Sequence, residues 1–187
     1  MDSIFIKNMV CNRCIMVVHN ELEKLNLDVN TVNLGRVDLN TPLQPSDKIK
    51  LKSVLLPLGF ELIDDKKSRV IESIKNIIID VVHHQESDIK INLSDLLSSE
   101  LQLDYNYLST LFSEVEGTTI EKYFIAQKIE KVKELLVYDE LSLSEIAHRL
   151  NYSSVAYLSN QFKKVTGLTP SHFKQIKEQK RKPLDEI

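Results

Sequence analysis

The sequence predicts an α+β amino-terminal domain followed by an all-α domain assembled from a duplicated pair of helices. Three observations lead there. Short apolar runs alternate with helical spacing over the first 65 residues, and the helical period then persists from Ser68 almost to the end. Within the second part, one stretch repeats itself at an interval of fifty residues.

Composition fits this division. A chain of 187 residues suits one large domain or two small ones, and 42% hydrophobic with 27% charged residues is ordinary for a soluble globular protein. Only four Gly and five Pro speak against collagen-like, disordered or many-turned all-β folds. No run of about 18 apolar residues occurs, so no membrane span is expected. The opening Met1-Asp2-Ser3-Ile4-Phe5-Ile6-Lys7 has no basic n-region and no apolar h-region. A secretory leader is therefore not expected, and the cytoplasm is the expected compartment.

Taken in order, Ile4-Phe5-Ile6 reads as a strand. From Cys14 the spacing becomes helical, with Cys14, Val17, Val18, Leu22 and Leu25 on one face. Val29, Val32 and Leu34, then Val37 and Leu39, form two strands around a turn at Leu34-Gly35-Arg36. Pro45-Ser46-Asp47 has the form of a helix start, followed by Ile49, Leu51, Val54, Leu55 and Leu56. Gly59 ends that helix, and Phe60-Glu61-Leu62-Ile63 is a last strand. The order is βαββαβ, the ferredoxin-like arrangement with helices on one sheet face. Asp64-Asp65-Lys66-Lys67 is a polar junction, which sets the expected domains at 1–66 and 67–182. Beyond it, Val70, Ile71, Ile74, Ile77, Ile78, Val81 and Val82 make an apolar stripe on a linking helix.

The repeat is the most informative feature. Leu93-Ser94-Asp95-Leu96 recurs as Leu143-Ser144-Glu145-Ile146, and Tyr107-Leu108-Ser109 as Tyr157-Leu158-Ser159. Phe112, Val115, Gly117, Thr119 and Tyr123 recur as Phe162, Val165, Gly167, Thr169 and Phe173. Each unit reads as a short helix, a tight turn, and a longer helix stopped by Gly. Ser142-Leu143-Ser144-Glu145 has the form of a capping box, and Thr169-Pro170 fits an N-cap followed by the first helical residue. Two copies are too few for a solenoid. Two helix-turn-helix units, about 92–117 and 142–167, joined by a helix over Thr119–Leu136, are the economical reading.

Charge is divided between these units. The whole chain carries a formal −3, but residues 86–120 hold only Lys90 against seven acids, whereas residues 121–182 hold twelve Lys and Arg against seven acids. A basic segment is thus masked by an acidic one, and whole-chain charge misleads.

Residues from about 70 to 177 resemble the DNA-binding domain of AraC/XylS-type transcription regulators. The resemblance rests on Ser142-Leu143-Ser144-Glu145-Ile146-Ala147 and on Phe162-Lys163-Lys164-Val165-Thr166-Gly167-Leu168-Thr169-Pro170-Ser171-His172-Phe173. It implies seven helices, two recognition helices for the major groove of double-stranded DNA, and a long helix fixing their separation. By that alignment the second recognition helix begins near Ser154 and turns Ala156, Tyr157, Asn160 and Gln161 outward. Asn and Gln can pair with adenine through both ends of the amide, while Ala and Tyr can meet a thymine methyl. Lys163, Lys164, Lys174 and Arg149 are the phosphate candidates, and Leu158 and Phe162 are core residues. The first unit departs from the family. Its recognition helix has no Lys or Arg, leaving polar readout to Asn106, Ser109 and Thr110, with Glu114 and Glu116 opposing phosphate. The second unit should dominate DNA affinity. Asn151-Tyr152 stands where relatives often carry Gly plus an aromatic residue, and Asn tolerates the left-handed turn conformation.

The amino-terminal half resembles heavy-metal-associated domains of the metallochaperone type, through Asn8-Met9-Val10-Cys11-Asn12-Arg13-Cys14 and Leu58-Gly59-Phe60-Glu61. The shortened hairpin over residues 28–40 departs from that pattern. The resemblance implies a thiophilic metal on Cys11 and Cys14. Two soft thiolates at a helix start suit Cu(I) first, and Zn(II) second if a homodimer or water completes its ligands. The same residues are open to other readings: a redox dithiol, a Cys14 that is merely a small buried hydrophobe, or a former metal domain now serving dimerisation. His83-His84 are expected to be solvated rather than ligands. No Gly-rich phosphate loop, nucleophile elbow or metalloprotease pattern occurs, so no enzyme is expected. The chain reads as a transcription regulator with a metal-responsive sensor. The rival reading is a redox or metal-transfer dithiol module whose helical half docks a protein partner.

Overall fold

The computed structural model describes residues 2–84 and 92–178. The chain forms two compact units, Met1–Ile79 with Leu97–Leu111 and Asp80–Leu96 with Phe112–Ile187.

The first unit opens with β1 (Asp2–Lys7), α1 (Asn12–Lys24), β2 (Val29–Asn33), β3 (Arg36–Leu39), α2 (Pro45–Leu55) and β4 (Glu61–Ile63). The strands make one antiparallel sheet in the order β2-β3-β1-β4, with Ile4 opposite Val37 and Ile6 opposite Leu62. Alternation along β1 buries Ile6, and the inner faces of the two helices add Val18, Leu22, Leu51 and Leu55 to one core with Met9, Val37 and Leu39. Two apolar residues of the predicted second helix lie outside that core: Ile49 of α2 is 71% exposed, and Leu56, in the turn that follows, 61%. An apolar run wider than one helical face cannot be buried against a single sheet. A 3₁₀ turn, Leu56–Leu58, separates α2 from Gly59, whose φ of +85° ends the turn.

α3 (Lys66–Ile79) starts where Asp65 Oδ1 accepts the Ser68 N–H at 2.8 Å. It buries Ile71, Ile74 and Ile78, and its Asn76, 9% exposed, donates to the Leu34 carbonyl at 3.2 Å. That bond ties the helix to the β2–β3 turn, while the Gly35 carbonyl of the same turn accepts from the Ile6 N–H. The linking helix does not run on as an α-helix. It widens into a π turn, Asp80–His84, where His83 Nε2 meets Gln127 Oε1 at 3.1 Å. Half-burial lowers the His83 pKa, so this histidine is packed rather than solvated; His84 is exposed.

The remaining helices are α4 (Leu93–Leu101), α5 (Tyr105–Glu116), α6 (Ile120–Tyr138), α7 (Leu143–Arg149), α8 (Val155–Thr166) and α9 (Pro170–Glu178). With α3 they make the expected seven among the described residues. In the second unit α6 supplies Ile129, Val132, Leu135 and Leu136 to a core completed by Ile146, Ala147, Tyr152, Leu158 and Phe162. Phe173 of α9 meets the Phe162 ring edge-on, with centroids 5.5 Å apart. The Lys128 ammonium lies 3.9 Å from the Tyr152 ring centroid and 5.6 Å from that of Phe124. Burial brings the Lys128 pKa down to about 8 and pushes the Tyr152 phenol up.

Two stability predictions follow from these contacts. Gly35 has a φ of +74°, and a Cβ there would stand 1.9 Å from Asn76 Nδ2. Gly35→Ala should therefore cost about 2 kcal/mol or more, through left-handed strain plus the displaced amide. Gly167→Ala, with nothing within 4 Å, should cost only about 1 kcal/mol, and urea titration of both variants checks the order. The second concerns pH. Unfolded Lys and Tyr titrate near 10.4 and 10 respectively. As pH rises from about 8 towards 10, the unfolded chain holds more protons at residue 128, so stability grows with pH. Above about pH 10 Tyr152 acts oppositely, because only the unfolded phenol ionises. Denaturant titrations at pH 8 and 9.5 should show wild type gaining on Lys128→Met.

Candidate nucleic-acid interface

α7 and α8 are each fixed at their ends by the side chains that the sequence offers. Ser142 Oγ accepts from the Glu145 N–H at 3.3 Å while Glu145 Oε2 accepts from the Ser142 N–H at 2.7 Å, a complete capping box. The Ser142 hydroxyl and, after it, the Ser142 N–H hold the Glu145 carboxyl below its usual pKa. The turn passes through Asn151 at a φ of +53° and Tyr152, whose N–H reaches the Ala147 carbonyl. α8 begins at Ser154, whose Oγ accepts from the Tyr157 N–H at 3.1 Å, and ends at Gly167 with a φ of +79°.

Between those caps α8 has two distinct faces. Leu158 and Phe162 are fully buried. Ala156, Tyr157, Asn160, Lys163 and Lys164 are exposed, Tyr157 by 54%. The two lysines stand in the last turn, where cations also complement the helix dipole. Arg149 is exposed at the end of α7. Ser154 is exposed, but its hydroxyl oxygen already serves the cap.

Two expected contacts are differently placed. Lys174 pairs with Asp139, the left-handed C-cap of α6, so its ammonium is engaged within the unit. Gln161 is partly buried, and its Oε1 accepts from the Tyr152 hydroxyl at 2.7 Å. Tyr152 and Lys128 escaped the sequence reading. Tyr152 passed for a turn aromatic, and a lysine on an amphipathic helix carries no mark of burial.

α5 has its own cap, with Asp104 Oδ1 accepting from Asn106 N at 2.9 Å and Tyr107 N at 3.3 Å. Asn106 and Thr110 are exposed and Ser109 is half-buried. Glu114 and Glu116 are exposed, and no cation occurs on the helix, so its surface is anionic.

In the amino-terminal unit Cys11 sits immediately before α1 in extended conformation, and Cys14 lies in its first turn. Their sulfurs are 3.5 Å apart and both thiols are free and partly buried. The backbone N–H of Cys14 lowers the Cys11 pKa, helped by the Cys14 thiol and by Arg13. Among the described residues no group of three or more His, Cys, Asp or Glu side chains converges to hold an ion.

Comparison with known proteins places the helical part. Residues 97–176 match the family described as a helix-turn-helix domain. The chain is 29% identical over 118 residues to an uncharacterised HTH-type transcriptional regulator, YtdP, of Bacillus subtilis, covering 61% of this chain and 15% of that protein. It is 35% identical over 69 residues to the xylose operon regulatory protein of Escherichia coli, covering 37% of this chain and 18% of that one. Each alignment therefore spans under a fifth of those regulators' length. The fold of the DNA-binding domain of AdpA, a global transcriptional factor solved with a target DNA, is similar at 17% identity. That match has a TM-score of 0.50 and covers 59% of this chain and 95% of the other. Residues 97–176 thus match a helix-turn-helix domain, and the helical part shares the fold of the AdpA DNA-binding domain.

Proposed function

We propose that this protein is a cytoplasmic, sequence-specific regulator of transcription that reads duplex DNA mainly through α8. The observation that carries the reading is the two-faced α8, capped at both ends and anchored by Leu158 and Phe162, with Tyr157, Asn160, Lys163 and Lys164 free of the core. Asn160 can pair with adenine N6 and N7 through both ends of its amide, and Ala156 and Tyr157 can meet a thymine methyl. Lys163, Lys164 and Arg149 provide phosphate contacts that position the helix. Asn106, Ser109 and Thr110 add polar readout from α5, weakened by Glu114 and Glu116.

The amino-terminal domain, with its βαββαβ order, is read as a ferredoxin-like sensor on the same grounds that make Cys11 and Cys14 a metal site. Two sulfurs 3.5 Å apart, with no third ligand gathered beside them among the described residues, fit a soft ion of low coordination number. Cu(I) is that ion. Zn(II) wants four ligands and would need a second subunit or water. Regulation requires the ion to favour one arrangement of the protein over another, since equal affinity for both shifts nothing.

Two experiments test these readings. Asn160→Ala should relax preference at one base position by about 1–3 kcal/mol, whereas Lys163→Ala should weaken all duplexes alike and flatten the salt slope by about one unit. Two variants that bind every duplex as wild type does would refute the assignment of α8. For the sensor, the reduced chain should take up one Cu(I) against a competing chelator and a Cys11→Ser/Cys14→Ser chain none. Equal uptake eliminates the site, and uptake that leaves DNA affinity unchanged eliminates the sensing role.

A further inference from the structure

The Tyr152–Gln161 pair bears on what base α8 can read. A glutamine recognises adenine by using both ends of its amide, the carbonyl accepting from N6 and the NH₂ donating to N7. Here the carbonyl end is tethered: Gln161 Oε1 accepts the Tyr152 hydroxyl at 2.7 Å, and Tyr152 is itself only 9% exposed. Lys128 favours the phenol as the donor of that bond. Its cation, 3.9 Å from the Tyr152 ring centroid, draws electron density from the phenol. The phenol oxygen becomes a weaker acceptor and its proton a better donor, so the carbonyl rather than the NH₂ turns to it. Burial, which pushes the phenol pKa up, keeps that proton in place.

We propose that Gln161 is a specificity-determining residue that presents donors only, and that it selects guanine rather than adenine at its base position. Guanine offers two acceptors, O6 and N7, on its major-groove edge, which the remaining NH₂ can serve without the carbonyl. Tyr152 and Lys128 are positioning residues that touch no base. The inference rests on the DNA-reading function of α8 proposed above.

The test is selection of bound duplexes from a randomised pool by the full chain and three variants, each checked for folding by circular dichroism. Wild type should select guanine at one position, a preference of roughly tenfold that Gln161→Ala erases. Tyr152→Phe keeps the ring over Lys128 but frees the carbonyl, and should move that position towards adenine. Gln161→Lys, which has donors alone at that position, should keep guanine, and it carries the test if Tyr152→Phe does not fold. Adenine selected by wild type, a Gln161→Ala pattern equal to wild type, or loss of guanine in Gln161→Lys would each overturn the proposal. A Tyr152→Phe chain that folds and selects as wild type does would overturn it too. If wild type retains no duplex at all, the function proposed for α8 fails first, and this inference falls with it.

Discussion

Burial of Leu158 and Phe162 against α6 phases everything else that α8 does. The two side chains are four residues apart and both fully excluded from water, each contributing about 1.5–3 kcal/mol through that exclusion. Once they point inward, a rotation of about 100° per residue leaves no freedom for the others. Positions 156, 157, 160, 163 and 164 must face solvent, as they do. The caps at Ser154 and Gly167 then fix where that face begins and ends. Interaction chemistry on the outer face is therefore a consequence of packing on the inner one, and substitutions at 158 or 162 would act on it without touching a ligand.

Much of this was legible in the sequence because it depends on local chemistry. The capping box at Ser142, the glycine stops at 117 and 167, and the hairpin turn at Gly35 each follow from one residue type meeting one backbone requirement. Periodicity found Val18 and Leu22 of α1 and Leu158 and Phe162 of α8, although it also put the exposed Val17 on the α1 face. It could not separate the buried Leu51 and Leu55 from Ile49 of α2 and Leu56 of the following turn, which carry the same hydrophobic signal and are exposed. The functional face was legible as a list of outward residues and not as a set of available atoms. Gln161 and Lys174 are placed where spacing puts them, yet their polar ends are engaged by Tyr152 and Asp139, nine and thirty-five residues away. No window of sequence shows a partner at such distances. His83 failed for a related reason: its ring meets Gln127, forty-four residues away.

Cys11 and Cys14 show the limit from the other side. Their spacing and helix-start geometry are local, so the approach of the sulfurs and the lowered Cys11 pKa arise within a seven-residue segment. What an ion there would change elsewhere in the chain is not a local property, and the family match lies at residues 97–176, outside the segment that holds the cysteines.

The bond from Asn76 to the Leu34 carbonyl closes over the bare Cα of Gly35. The fit has a consequence for how such chains can diverge. Neither position can be altered singly without loss: a side chain at 35 collides with the amide, and a shorter residue at 76 leaves a buried carbonyl unmatched. A paired exchange, with a polar side chain reaching from the turn and a small residue on the helix, relieves the collision and leaves only the left-handed strain at 35. These two positions, forty-one residues apart, should behave through descent as a single inherited character.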